Sequence, residues 1–147
     1  METWRFIFRK GFAPLLSFSA LEALKSGIQQ DDPALLQGCV VFPKLIPGFW
    51  DVPAVATGLL AYIGKEGEGL FSVAEVTEFH NRLKEAAAQK LGAVNIAQGF
   101  IEWFDKTPRQ LMRKELLKEV RREIKARKVT IKSQVTINPS SPLFTNN

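Results

Sequence analysis

This 147-residue sequence predicts a mainly α-helical fold: a single compact domain of four to six helices, with a small β element from the N- and C-terminal segments. Three observations carry the prediction. Ser72 followed by Glu75, and Thr107-Pro108 followed by Gln110, are helix-start signatures in which side-chain oxygens satisfy free amides of the first turn. Behind the first of them, Val73, Val76, Phe79, Leu83, Ala87 and Leu91 recur at helical spacing until Gly92 ends the run. A hydrophobic content of 46% in a chain of this length is enough for one sizeable core. An all-α fold with a disordered C-terminal tail is the alternative that the same pattern permits.

Taken in order, "WRFIFRK" alternates Trp4, Phe6 and Phe8 with Arg5, Ile7 and Arg9, the period of a half-buried strand. Ser19 is placed to cap a short helix over "ALEALKSGIQQ", which Gly27 limits. Asp32 and Pro33 mark a stop and a new start, with a turn or two of helix ending near Gly38. Prolines at 43, 47 and 53 lack an amide donor and restrict the residue before them, so "CVVF" is a short buried strand followed by an irregular connection. "DVPAVATGLLAYIG" reads as a buried helix, with a strand left open because the period does not decide. "GKEGEG" is a loop on the strength of its glycines.

Helices are then expected from Ser72 to Gly92, over "AVNIAQGFIEWF", and from Pro108 onward. Past Lys128, "VTIKSQVTI" sets Val129, Ile131, Val135 and Ile137 against Thr130, Lys132, Gln134 and Thr136, a strand pattern able to pair with "WRFIF" or with a partner's sheet. The expected organisation is a helical domain over residues 1–128 and a strand with a flexible tail over 129–147.

Several function classes find little support. The longest uncharged apolar run, Val52 to Gly64, is shorter than the roughly 20 residues that a membrane-spanning helix needs. "METWRFIFRKGFAPLLSFSA" makes a poor targeting segment and is expected to belong to the fold. The single cysteine, Cys39, forms no internal disulfide, which makes a reducing cytoplasm the default setting. "GKEGEG" lacks the ending of a phosphate-binding loop, and Glu66 and Glu68 would repel phosphate. His80 has Val76, Thr77, Leu83 and Lys84 as its helical neighbours, none a metal ligand. No cofactor or metal site is expected, and Cys39 beside "VVF" reads as a small core residue.

Charge is the informative feature. Between Lys106 and Lys132 there are 11 Lys/Arg and 3 Glu, a balance of +8, which leaves 9 Lys/Arg and 12 Asp/Glu, a balance of −3, for the rest. At 100° per residue, "RKELLKEVRREIKARK" resolves into three stripes. Leu116, Val120 and Ile124, with Leu117 beside them, form a face to bury. Glu115, Glu119 and Glu123 form a second stripe, able to pair along the helix with Lys118, Arg122 and Arg127. Lys114, Lys118, Arg121, Arg122 and Lys125 form a broad basic arc.

These features predict a non-enzymatic binding or accessory protein acting in a larger assembly through this helix and the strand after it, with an acidic protein surface as partner. The alternative is nucleic-acid binding by the same arc. Against it stand the interleaved glutamates, which would face the polyanion, and the lack of an aromatic to stack a base. Phe49 and Trp50, in a proline-rich connection, are core plugs or exposed anchors for a partner. An enzyme would need Glu66, Glu68 or His80 to converge in one pocket.

Overall fold

The computed structural model describes residues 1–48 and 50–137, with side chains as far as Lys132. It is mainly α: six helices and one two-stranded sheet among the described residues. Helix α1 (Thr3–Ile7) runs on through a π-helical turn (Phe8–Phe12) and a 3-10 turn (Ala13–Leu15). Then follow α2 (Phe18–Gln29), β1 (Val41–Phe42), β2 (Ala56–Thr57), α3 (Leu59–Tyr62) with a π-helical turn (Ile63–Gly67), α4 (Val73–Leu91), α5 (Ile96–Lys106) and α6 (Arg109–Ile137).

The sheet lies in "CVVF" and in the segment where a strand was left open, at Val41–Phe42 and Ala56–Thr57, and not in the N- and C-terminal segments. "WRFIF" is helical, because Trp4, Ile7, Phe8, Gly11 and Phe12 also fit a helical face, and it is this face that is buried. Trp4 stacks on Trp103 of α5 at 3.6 Å between ring centroids, and Phe8 and Phe12 lie against Phe100. The alternation of Trp4 with Arg5 was too short to distinguish the two periods. Residues 129–137 are not a strand either: they continue α6. No Gly or Pro interrupts the chain between Pro108 and Pro139, and a helix already nucleated gains one hydrogen bond per residue by continuing. The only sheet among the described residues pairs Val41 with Thr57 and Phe42 with Ala56, antiparallel.

Smaller departures follow from competing local bonds. Ser17, not Ser19, caps α2, accepting from the Ala20 amide at 3.0 Å. The segment after Pro33 forms turns, with Asp32 Oδ1 accepting from Ala34 N–H at 2.9 Å. "GKEGEG" begins as the π-helical turn after α3, and Gly67 there packs so closely on Ala20 that an added Cβ would stand 2.6 Å from its Cα. The expected box at the start of α6 does not form, since Gln110 Oε1 accepts from Arg113 instead.

One core joins α1, α2, α4, α5 and α6, and a smaller one of Val41, Ala54, Ala61, Val73 and Val76 sits under the β hairpin. Into the main core α6 sends Met112, Leu116, Val120 and Ile124, all buried. No helix among the described residues is long and apolar enough to cross a membrane.

Candidate functional site

The last helix is held by its own cations. Arg109 donates to Asp31 Oδ1 at 2.7 Å and to the Asp32 carbonyl at 3.1 Å. Arg113 donates to the Ile28 and Gln29 carbonyls at 2.9 and 3.1 Å, closing the C-terminal end of α2. Arg127 does the same for the turns after α1, donating to the carbonyls of Leu16 at 2.5 Å and Ala13 at 2.6 Å. Carbonyls at helix ends lack intrahelical partners and carry partial negative charge, so guanidinium groups suit them.

Within the acidic stripe, Glu119 has a different fate from pairing along its own helix. Glu119 is only 4% exposed and receives both Arg9, at 2.6 and 3.0 Å, and Arg5, at 2.8 Å. Burial works to raise its pKa, and hydrogen bonds from Arg9 and Arg5 overcome it and hold the carboxyl below the ordinary range. Glu115 accepts from Arg5 as well as from Lys118. Two of the expected helix pairs are present, Lys118 with Glu115 at 3.1 Å and Arg127 with Glu123 at 3.0 Å; the third, Glu119 with Arg122, is replaced by the grip on α1. Arg5 of α1 and Arg9 of the π-helical turn after it were the signal missed, since nothing in their spacing points to residues more than a hundred positions away.

This pairing sorts the charges of α6 by side. Lys114, Lys118, Arg121, Arg122 and Lys125 are all exposed, and Lys128 joins them. Lys114, Arg121, Arg122, Lys125 and Lys128 have no hydrogen-bonded or ion-paired partner among the described residues. At 100° per residue Lys114, Lys118, Arg121, Lys125 and Lys128 fall in one row with Arg122 at its flank, spanning about 21 Å along the axis. The row carries no aromatic side chain. Near its end the helix leaves the body: Val129 and Ile131 are 57% and 56% exposed. The side chains of Val135 and Ile137 lie outside the described residues.

Two other features were singled out by the sequence. Phe49 lies outside the described residues, while Trp50 is 54% exposed. With Phe42, Leu45, Ile46, Val55 and Phe71 it makes an exposed apolar region around the hairpin, tied together by Val55 N–H to the Phe42 carbonyl and Ala54 N–H to the Phe71 carbonyl, each 2.9 Å. Cys39 is exposed rather than in the core. It lines a cavity of about 220 Å³ together with His80, Lys84, Gln98 and Asp105.

The titrations in that cavity run against a thiolate. Partial desolvation of the sulfur, aided by Asp105, raises the thiol, and Lys44 opposes this. Burial, with help from Lys84, lowers His80 to about 4, so its ring is neutral near pH 7, and its Nδ1 has no hydrogen-bond partner. Glu66 pairs with Lys65 and Glu68 accepts from Ser17; neither lines the cavity. No group of three or more His, Cys, Asp or Glu among the described residues is arranged to hold a metal ion.

Comparison with protein-family models, with curated proteins and with solved structures found no match.

Proposed function

We propose that the protein is a non-enzymatic binding protein, an accessory within a larger assembly, that docks on a negatively charged partner through the outward face of α6. The observation that carries this reading is the sorting of charge around that helix. Glu115 and Glu119 are turned toward Arg5 and Arg9, Glu123 pairs with Arg127, and five exposed cations have no acid partner among the described residues. Exposed pairs along a helix would need no partner, being worth little on their own. An unneutralised row costs self-repulsion, which a partner's negative charge relieves. Val129 and Ile131, exposed where the helix leaves the body, add apolar contact at the same end. A reducing, cytoplasmic setting belongs to the proposal and is supported by the single cysteine.

The test is fluorescence anisotropy of the full chain against a labelled heparin oligosaccharide at low ionic strength, where exposed charges act at longest range. Replacing Lys114, Arg121, Arg122 and Lys125 together by Gln is expected to weaken binding at least about tenfold while the thermal unfolding curve stays in place. Equal binding by the variant would move the docking face off α6.

A further inference from the structure

Resting on the reading of α6 as a face for anionic partners, we infer that the partner is a nucleic-acid duplex held through its phosphates. The first ground is the order of the row. Lys114, Lys118, Arg121, Lys125 and Lys128 are spaced by four, three, four and three residues, so the charges advance steadily along one line of the helix. A phosphodiester backbone is a regular linear array of negative charge, and neutralising it releases condensed counterions.

The second ground is the position of the acids. Glutamates on an open face would repel phosphates as strongly as the lysines attract them. Here Glu119 is buried under Arg5 and Arg9, and Glu115 and Glu123 are mostly covered, with side chains 19% and 20% exposed. The objection that the stripe pattern raises against a polyanion is therefore removed by the tertiary fold.

The third ground separates duplex from single strand. Proteins that hold single strands stack bases on aromatic side chains, and the row has none. What it has is a rigid line of cations: Arg109, Arg113 and Arg127 anchor the helix to carbonyls at both ends of the row. Beyond Arg127 the described side chains are exposed through Lys132. A helix of about 10–12 Å diameter presented in this way matches a major groove about 12 Å wide.

The experiment titrates the full chain against a DNA duplex of about 20 base pairs, an RNA duplex of equal length, the matching single strand and poly-L-glutamate, at about 50 and 200 mM salt. The expected result is duplex binding whose log affinity falls against log salt with a slope of about −4.5, about 0.9 for each of the five cations without an acid partner among the described residues, Lys114, Arg121, Arg122, Lys125 and Lys128. That is a loss of roughly 500-fold over this fourfold change in salt. The Arg121→Gln, Arg122→Gln, Lys125→Gln variant is expected to keep its unfolding transition and to show a slope shallower by about 2.7. The DNA and RNA arms then tell which duplex is preferred. Tighter binding of the single strand overturns the inference. Binding of poly-L-glutamate, but of neither duplex, overturns it while leaving the docking face in place. If none of these polyanions nor heparin binds, both readings fall.

Discussion

Arg9 and Glu119 join the two ends of the folded chain: Nε donates to Oε1 at 2.6 Å and Nη2 to Oε2 at 3.0 Å, across 110 residues of sequence. Arg5 completes the contact from one helical turn earlier, reaching Glu119 and Glu115 together. Because Glu119 is buried and its partners come from α1 and the π-helical turn after it, the helix is fixed about its own axis. Glu115 and Glu119 point toward Arg5 and Arg9, and the row of cations is left on the outside.

Glu119→Ala is expected to cost about 2–3 kcal/mol, somewhat below the range for fully buried pairs because Arg9 keeps part of its solvent contact. Urea denaturation measures it. A double-mutant cycle with Arg9→Met isolates the pair, and a coupling near zero would show that the two side chains are only neighbours.

Acid should weaken the fold in two separable steps. His80 has a pKa lowered from 6.5 to about 4 by burial and, secondarily, by Lys84. The unfolded chain takes up its proton first, so stability is fullest above about pH 6.5 and falls until about pH 4, by roughly 3 kcal/mol. Glu119, held low in the fold, contributes above its unfolded value and loses that contribution as pH falls further. Stability of the His80→Gln variant, followed by urea unfolding between pH 7 and 4, should be nearly flat over the first step; a drop as large as in the parent chain would place the loss elsewhere.

Gly27 and Tyr62 are predicted to be non-additive. An added Cβ at Gly27 would stand 2.2 Å from the Tyr62 hydroxyl, which donates to Asp32 Oδ2 at 2.7 Å. Gly27→Ala therefore displaces the ring and breaks this bond, with an expected cost of about 2–4 kcal/mol. In the Tyr62→Phe background the hydroxyl contact is gone while ring carbons at 2.7 and 2.8 Å remain, so the penalty of Gly27→Ala should shrink in part in chemical denaturation. Strictly additive penalties would be evidence against this contact.

Neighbouring cations at the end of α6 should behave differently. Arg127 caps two carbonyls, at 2.5 and 2.6 Å, whereas Lys128 is exposed without a partner among the described residues. Arg127→Ala is expected to lower stability by about 1–2 kcal/mol and Lys128→Ala by no more than about 0.5 kcal/mol. Thermal melts of the two single variants check this; similar shifts would remove the distinction between structural and surface cations.

The features legible in the sequence are those set by neighbours along the chain. Ser72 and Glu75 exchange both bonds of the expected capping box, and Gly92 takes the left-handed conformation, φ 80°, that ends α4. Each needs only residues within one or two turns. The outward arc of α6 was legible for the same reason, since 100° per residue places its members whatever surrounds the helix. The role of Glu119 was not, because spacing along a helix cannot distinguish a pair with Arg122 from a pair with Arg9 on another helix.

What the sequence by itself determined is thus the mainly α character, the start and stop of α4, the irregular proline segment and the composition of the three stripes. These follow from backbone hydrogen-bond satisfaction and side-chain periodicity, both local. Only the tertiary structure decided that "WRFIF" is a helix, that residues 129–137 extend α6, and that Cys39 and His80 share a cavity. It also decided that α6 turns Glu115 and Glu119 to Arg5 and Arg9. The reason is common to all of these: a short apolar pattern fits two periods until burial against Trp103 and Phe100 selects one, and an ion pair is chosen by the fold's geometry rather than by distance along the chain.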